Sequence, residues 1–333
     1  MEEICSSDYV IRRLTPADAL QIPELANTVN GPGYIHAEVY HPQKLLQLNR
    51  DGHLVSVVAV HREHGVVGHS ALERPDMGPI AETGEAMVLP DHRHHHLLDR
   101  MKLALEEEAR KLGLAGIYGN AVTHHVFSQR TEERYKAHPT GFLLAASPAS
   151  AHRIEGSPPQ RVSLLSYFKF LGEPGVTIAH LPQHHRETVN QIYNLLGRRV
   201  EFGRPKTSAG PTAISSSYDP PTQQGRVKVA EPGSDAAEKI DSARHGLINN
   251  FGAEVIYLEL PLRHPGSAEV CAQAEALGFF FSGISPQAPG SGDWLRLQYL
   301  KAPLDLSLLQ IESEFARGLL SYIAGERERV RRS

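Results

Sequence analysis

Histidine is the residue type whose local density first suggests chemistry in this sequence. Six histidines form two groups: His92, His94, His95 and His96 in the first, and His124 and His125 in the second. Imidazole binds zinc and nickel well, so a metal site is one hypothesis. However, no cysteine and no ordered Glu-x-x-His pattern accompanies these histidines, and adjacent side chains at a helix start point in different directions. The sequence therefore favours a solvated histidine loop and predicts no metal.

A strand and a long amphipathic helix flank the first histidine group. Glu85 to Leu89 is typical of a strand, which Pro90 ends, and His92 to Lys111 places apolar residues at helical spacing between charged ones. Backbone N–H groups in the first turn of a helix lack intrahelical partners and carry partial positive charge, so they bind phosphate readily. This pattern predicts a phosphate-binding point where the helix begins.

The same region carries a family resemblance. GEAMVLPDHRHHHLLDRMKLALEEEARKLGL, Gly84 to Leu114, and IYGNAV, Ile117 to Val122, resemble the core of the GNAT acyltransferase superfamily. In that superfamily a strand leads into an Arg/Gln-x-x-Gly-x-Gly/Ala loop and a long helix that holds the pyrophosphate of acetyl-CoA. The resemblance extends from Tyr9 to Ala146. GNAVTHHVFSQ, Gly119 to Gln129, with VSVVAV and GVVGHSALERP, is similar to a bacterial subgroup whose members carry a second, degenerate GNAT-like half.

The resemblance implies that acetyl-CoA is a cosubstrate bound at the strand end and the helix start. The residues it implies are Met87, Val88, Arg93, His94, His95, His96, Leu97 and Leu98. With Arg93 aligned to the leading Arg of the motif, His96 and Leu98 stand where the superfamily has glycine and a second small residue. A side chain at His96 either blocks the pyrophosphate or, as a protonated imidazole, replaces part of the lost contact.

Direct acyl transfer to an amine needs a base that removes a proton and a donor that protonates the departing thiolate. Glu82 and Glu85 stand where several members of the superfamily place a carboxylate base, so the resemblance implies Glu85 as the base. His125 is a second candidate base and Ser128 a candidate acid, both following the strand that ends near Ala121. The alternatives are an exposed strand position for Glu85 and a helix N-cap for Ser128.

The sequence supports neither a tyrosine as the acid nor a different class of reaction. Tyr135 lies seven residues before Phe142, whereas the superfamily tyrosine lies five before its phenylalanine, so no acid role is predicted for Tyr135. Gly-x-Ser-x-Gly, P-loop and Rossmann glycine patterns are absent from the sequence. The predicted function is an acyl-CoA-dependent N-acyltransferase acting on an amine of a small molecule or peptide. The alternative is a tandem GNAT-like protein without turnover that binds a ligand or regulates a partner.

The elements that position these residues alternate between strand and helix patterns. Thr15 is a predicted N-cap, with proline at the first helical position. Leu54 to His61 and Val66 to Glu73 have hairpin spacing, so the sheet is predicted to be antiparallel there. The segment from Asn30 to Tyr40 contains glycines, two tyrosines and one histidine, which is typical of a loop, and a short amphipathic turn follows from Pro42.

The order of elements begins again after a segment rich in Ser, Pro and Ala at 148–160, first with a strand over Val162 to Leu171. It predicts an α/β fold of the α+β type made of two GNAT-like halves, 1–150 and 160–333, each a mixed, largely antiparallel sheet with helices on both faces. The second half lacks the Arg-x-x-Gly-x-Gly pattern, so CoA is expected only in the first. A last helix, Ser307 to Arg327, is expected to pack across the body or a second subunit, which allows a homo-oligomer.

Composition bounds the remaining possibilities. The length of 333 residues suits two domains. The 38 acidic residues outnumber the 34 basic ones, so the sequence lacks the excess of positive charge that is typical of nucleic-acid-binding proteins. Cys5 and Cys271 lie far apart, which favours reduced thiols and a cytoplasmic location. No apolar run approaches the roughly 18 residues of a membrane span, and Met-Glu-Glu-Ile does not resemble a signal peptide. No membrane association is expected.

Overall fold

A computed structural model describes residues 8–149 and 159–332. Cys5 and most of the predicted join at 148–160 lie outside these ranges. The strands are β1 (Tyr9–Arg13), β2 (Leu54–His61), β3 (Gly65–Glu73), β4 (Ile80–Val88), β5 (Gly116–Val122), β6 (His138–Ser147), β7 (Val162–Phe170), β8 (Val176–Ala179), β9 (Arg199–Phe202), β10 (Ala213–Asp219), β11 (Gln224–Glu231), β12 (Val255–Pro261), β13 (Phe280–Ser285) and β14 (Trp294–Leu300).

Helices cover both faces of the sheet that these strands form. They are α1 (Pro16–Ala19), α2 (Ile22–Asn30), α3 (Pro42–Asp51), α4 (Leu97–Lys111), α5 (Phe127–Arg134), α6 (Arg186–Leu195), α7 (Ala236–Phe251), α8 (Ser267–Ala276) and α9 (Glu314–Arg332). Residues of β2 alternate between two clusters: Val55 and Val57 share a cluster with residues of α4, and Leu54 and Val58 share one with residues of α2 and α3. Because both faces are covered, β2 is apolar along most of its length.

One twelve-stranded sheet runs through the described residues in the order β1-β2-β3-β4-β5-β7-β6-β13-β14-β12-β11-β10, and β8 and β9 form a separate parallel pair. Within the large sheet, β4/β5 and β11/β12 are parallel and the other neighbours are antiparallel. The expected mixed, largely antiparallel sheet and the hairpin of β2 and β3 are confirmed. The strand expected at the start of the second half, β7, lies between β5 and β6.

The N-cap prediction for Thr15 is also confirmed. Its hydroxyl accepts a hydrogen bond from the backbone N–H of Asp18, and the Asp18 carboxylate accepts one from the backbone N–H of Thr15. This reciprocal pair satisfies donors that a helix start would otherwise leave exposed. The helix is short and ends at Ala19, and α2 begins at Ile22 with a proline at its second position.

The last helix begins at Glu314 rather than Ser307, so that prediction was wrong at its start. Residues Leu306–Leu308 form a short 3-10 turn, and the next residues are held in extended form by the side chain of Gln129. Its amide donates to the carbonyl of Gln310 at 2.8 Å and its oxygen accepts from the N–H of Glu312 at 3.0 Å. These long-range hydrogen bonds fix the backbone before α9 and exclude helix there. No helix of the described residues is long and apolar enough to cross a bilayer.

Strands β6 and β13 join the sheet at a very close backbone approach. Gly141 faces Gly283, and a Cβ on Gly141 would overlap the carbonyl oxygen of Ser282 and lie 2.7 Å from the Cα of Gly283. The fully buried amide of Gln298 bridges the same seam, because it donates to the carbonyl of Leu144 at 2.6 Å and accepts from its N–H at 3.1 Å. The side chain of Gln298 thereby replaces backbone pairing that the ladder lacks.

We therefore expect Gly141→Ala to lower the free energy of unfolding by about 3 kcal/mol, because the added methyl must push two backbones apart. Gly246→Ala is the matched control: its Cβ would meet nothing within 4 Å, and Gly246 lies inside α7. Alanine is the better helix former, so this variant should gain up to about 1 kcal/mol. Denaturant unfolding of both variants beside the wild type measures the difference. Equal effects of the two substitutions would contradict the role of the seam.

Candidate active site

Strands β4 and β5 part soon after they meet. Their parallel ladder has three pairs, from Ile80 with Gly116 to Glu82 with Tyr118. Beyond these pairs, β5 continues along β7 up to Val122, while β4 continues along β3. The two strands therefore diverge, and we call the gap between their facing backbone edges the cleft. Polar groups from both strands face this opening.

Glu85 lies at a bulge on the diverging part of β4. Ala71 pairs with Gly84 and His69 with Met87, so Glu85 and the residue after it together oppose a single residue of β3. Glu85 has a φ of 51°, which is uncommon for a residue with a side chain. The bulge directs Glu85 inward, where it is 1% exposed. The alternative of an exposed strand position for Glu85 was therefore wrong.

Four ionisable side chains surround one point beside this bulge, and we name them the His36 cluster: His36, Glu38, Glu73 and Glu85. The Nδ1 atom of His36 lies 3.5 Å from a carboxylate oxygen of Glu38, 3.7 Å from one of Glu73 and 3.9 Å from one of Glu85. Neither oxygen of Glu85 has a hydrogen-bond donor among the described residues. His69, fully buried, lies behind Glu85 with its Nδ1 3.7 Å from Oε2.

Burial and neighbouring charges raise the pKa values of some of these groups and lower those of others. Burial raises the pKa of Glu85 well above its usual value, and it raises that of Glu73 to about 7 against the pull of His36. Burial lowers the pKa of His36, but the nearby carboxylates outweigh it and raise that pKa to about 9. Burial lowers the pKa of His69 to about 4, so this imidazole is neutral near pH 7.

A hydrogen-bonded row continues from the cluster across the mouth of the cleft. The amide of Asn120 donates to Glu82 at 2.6 Å, and the hydroxyl of Ser166 donates to the amide oxygen of Asn120 at 2.7 Å. The next residue of β4, Thr83, accepts from Lys102 of α4 at 3.1 Å. Because successive side chains of a strand point to opposite faces, Glu82 lies on the face away from α4. The acidic face of the cleft is thus the one opposite this helix.

Helix α4 begins at Leu97, so its predicted start at His92 was wrong. Pro90–His92 form a 3-10 turn, and His94 and His96 have φ angles of 70° and 55°. Residues in this left-handed region cannot extend a helix, which moves the first helical turn to Leu97. His96, which the sequence resemblance aligned with the glycine of the motif, has a backbone conformation that favours glycine.

The predicted cofactor residues divide into buried side chains and an exposed loop. Met87 and Leu97 are buried in apolar clusters, and Leu98 is half-buried against one of them. Arg93, His94 and His96 are exposed. His95 is half-buried, with its ring centroid 5.3 Å from that of Tyr9, and the carbonyl of Val88 lies 3.4 Å from Nε of Arg93.

His92 departs from the expected solvated loop. It is 4% exposed, its Nδ1 lies 2.9 Å from the hydroxyl of Tyr9, and its Nε2 lies 3.1 Å from Nδ1 of His64. The ring of His64 stacks on that of His61 with 4.5 Å between centroids. His92 therefore links the loop before α4 to Tyr9 of β1 and, through His64, to the β2–β3 turn.

His125 and Ser128 lie at the far end of β5. Burial lowers the pKa of His125, and the charge of Arg93 adds to this shift. Ser128 is the second residue of α5, whose N-cap is Val126, so the N-cap alternative for Ser128 was wrong. Its hydroxyl oxygen is buried without a hydrogen-bond partner among the described residues. Glu85, by contrast, contacts residues from the loop before α3 and from β3.

The sequence interpretation missed His36, Glu38, His69 and Glu73. The first two lie within the segment from Asn30 to Tyr40 that was identified as a loop, and a 3-10 turn at Ala37–Tyr40 presents them to the sheet. The concentration of ionisable side chains in an otherwise loop-like segment was the available signal. His69 and Glu73 belong to β3, where nothing in the local sequence distinguishes a cleft-facing residue from a core residue.

No protein-family model matches the chain, and no curated protein matches its sequence. Among solved structures, the ribosomal-protein-S5-alanine acetyltransferase of Vibrio fischeri is 13% identical and has a TM-score of 0.41, covering 49% of this chain and 93% of that one. The ribosomal-protein-alanine N-acetyltransferase of Brucella melitensis is 23% identical, with a TM-score of 0.39 and coverage of 49% and 99%. The protein yncA of Salmonella typhimurium, described with its cofactor acetyl-CoA, is 16% identical, with a TM-score of 0.40 and coverage of 50% and 95%. Matches at this level carry no argument about the activity of this chain.

The left-handed conformation of His96 generates a prediction about stability. His96→Gly should raise the free energy of unfolding by about 0.5–1 kcal/mol, because glycine adopts this φ without the steric cost of a Cβ. The side chain is 70% exposed, so little packing is lost. His95→Gly is the control; His95 is not among the positive-φ residues, and this variant should lose stability. Denaturant unfolding distinguishes the two. A loss of stability in both variants would contradict the assignment of strain to His96.

Proposed function

We propose that this chain is an acyl-CoA-dependent N-acyltransferase that takes acetyl-CoA as its cosubstrate and acts on the amine of a small molecule or peptide. The observation that carries the proposal is the parting of β4 and β5 after three pairs, directly before the start of α4. A parted pair of strands offers unpaired backbone groups to an amide or carbonyl, and a helix start offers N–H groups to a phosphate. A thioester with a pyrophosphate tail needs both. The GNAT resemblance of Gly84 to Leu114 supports the same assignment.

Acetyl-CoA would lie with its pyrophosphate at residues 93–98 and its thioester beside Met87 and Val88. Arg93 is exposed and supplies positive charge in the loop. Arg134 of α5 lies 3.2 Å from the Asp99 carboxylate in the first turn of α4. That ion pair reduces the repulsion that Asp99 would otherwise exert on a phosphate. The side chain of Leu97 is buried, so only its backbone atoms are left to contact the ligand.

Glu85 would act as the general base, directly or through water. Burial beside three other ionisable groups makes its carboxylate a stronger proton acceptor than an exposed one. His125 is a second candidate base and Ser128 a candidate acid for the departing thiolate. The acidic row from Glu82 to the His36 cluster would attract a cationic amine before transfer.

The second half of the chain would be a degenerate copy that binds no CoA. Its strands repeat the pattern of the first half: β11 and β12 are parallel, and β14 lies between β12 and β13 as β7 lies between β5 and β6. However, β11 and β12 hold five pairs against the three of β4 and β5. The start of α7 is covered as well, because the Asp235 carboxylate accepts from the N–H of Thr212 at 2.7 Å. A pyrophosphate at Ser234 to Ala236 would have to displace that segment.

A tandem GNAT-like protein without turnover is the second candidate function. The side chains of His96 and Leu98 at positions of small residues favour it, because they weaken a pyrophosphate clamp. Acetyl-CoA binding separates the two candidates before any acceptor is known.

We expect acetyl-CoA to bind the wild type, Arg93→Ala to weaken binding by about tenfold through loss of a charge, and His96→Gly to tighten it. Isothermal titration calorimetry measures all three affinities. Ser234→Ala, at the start of α7, is the control and should match the wild type. Thermal unfolding provides a second readout, since ligand at 100 times its Kd adds about 2.7 kcal/mol of stability. Unchanged affinity in both Arg93→Ala and His96→Gly would show that this loop holds no phosphate.

Glu85→Gln keeps the shape of the side chain and removes its basicity. We expect kcat to fall by about 10²- to 10⁴-fold while acetyl-CoA affinity stays within about twofold of the wild type. The assay follows release of the CoA thiol with a panel of primary amines. Glu63→Gln is the control, because Glu63 is exposed in the β2–β3 turn. Turnover by Glu85→Gln at the wild-type rate would move the base assignment to His125.

A further inference from the structure

The His36 cluster has the spacing of ligands around an ion rather than of directly paired charges. The three carboxylate oxygens lie 3.5–3.9 Å from Nδ1 of His36, whereas a charge-assisted hydrogen bond closes to about 2.7–2.9 Å. A tetrahedral Zn²⁺ with bonds of about 2.0–2.1 Å separates its ligand atoms by about 3.4 Å. The ligand atoms of His36, Glu38 and Glu85 all lie within 4.8 Å of one another. A small shift of these side chains would let them share one cation.

Glu85 gives independent support for a missing partner. Its side chain is fully buried, and neither carboxylate oxygen has a hydrogen-bond donor among the described residues. Buried carboxylates without donors are costly, so they normally pair with cations or metals. The strained φ of Glu85 holds this carboxylate in place despite that cost. His36, Glu38 and Glu73 keep about a fifth of their side chains exposed, which leaves an ion a path of entry.

A second cluster of the same residue types shows what a satisfied network looks like. Nε2 of His185 lies 2.7 Å from a carboxylate oxygen of Glu275, and Nε2 of His184 lies 3.0 Å from the same oxygen. A guanidinium, that of Arg329, also lies 3.0 Å from this oxygen and contacts Glu326 at 2.6 Å. These are hydrogen-bond distances, and the positive charge is supplied by the protein. This second cluster therefore needs no ion.

We propose that His36, Glu38 and Glu85 bind one Zn²⁺ ion, with the carboxylate of Glu73 beside it. One imidazole and two carboxylates supply nitrogen and oxygen ligands that zinc accepts, which leaves the fourth position of a tetrahedral ion open. The ion would offset the charge of these two carboxylates and of Glu73 beside them. The site is separate from the exposed histidines at 94–96. The proposal does not depend on acyl transfer. Zinc would bind the carboxylate of Glu85, which the proposed function uses as a base. Glu85 could therefore not act as a base while zinc is bound.

The test measures zinc binding to the full chain without acetyl-CoA. Metal-free protein is titrated with Zn²⁺ by calorimetry, and bound metal after dialysis is counted by mass spectrometry. We expect one tight ion per chain, and a loss of affinity of more than about tenfold in both His36→Ala and Glu38→Gln. The double variant His94→Ala/His96→Ala and the variant His184→Ala are controls that should keep the tight site.

Thermal unfolding shows whether a variant that fails to bind zinc is still folded. Burial raises the pKa of Glu85 well above its usual value, so without zinc the melting temperature of Glu85→Gln should equal or exceed that of the wild type, and added zinc should no longer raise it. Two results would overturn the proposal: a wild type that binds no tight ion, or binding that survives His36→Ala and disappears in His94→Ala/His96→Ala. The second result would assign zinc to the exposed histidine loop. Neither result affects the acetyl-CoA measurements on which the proposed function rests.

Discussion

Strands β4 and β5 run parallel, and the ladder between them ends at Glu82 and Tyr118. Most of the candidate site depends on this early end. Two neighbours draw the strands apart: β7 pairs with β5 along its whole length, and β3 holds β4 through the bulge at Glu85. Without the bulge, Glu85 would follow the alternation of the strand, and its side chain would not reach the His36 cluster. A cleft with backbone edges as walls is the direct result.

The cleft combines two kinds of environment that are rarely close together. On one side, the loop at 93–96 is exposed and carries arginine and histidine. On the other, acidic side chains are buried beside the bulge, where charge is costly unless it is compensated. This contrast separates a place suited to an anionic tail from one suited to a cation. An acyl-CoA and an amine acceptor are a pair of ligands with those charges.

The sheet continues beyond the cleft because β6 and β13 tolerate an unusually close approach. Two facing glycines remove the side chains that would hold the strands apart, and Gln298 supplies hydrogen bonds from its amide. The C-terminal segment then returns to the first part of the chain, where Gln129 holds residues 310 and 312. Two remote parts of the sequence thus support the end of β5 and the start of α5, next to His125 and Ser128.

The sequence by itself determined the types and the order of most elements. Strand patterns predicted the hairpin of β2 and β3 and the strand β7 to within about two residues, because these patterns depend on local burial. Capping chemistry identified Thr15 for the same reason. The GNAT resemblance added the connection between β4 and α4, which composition does not supply.

Only the tertiary structure decided which side chains meet. A bulge changes the direction of Glu85 through pairing with β3, and the left-handed His94 and His96 delay α4 by five residues, although the local sequence is compatible with helix. His36 reaches the cleft from a loop some fifty residues before Glu85 in the chain. Sequence patterns report how often a residue is buried, whereas a site forms from contacts between residues that are distant in the chain, and those contacts exist only after the sheet has assembled.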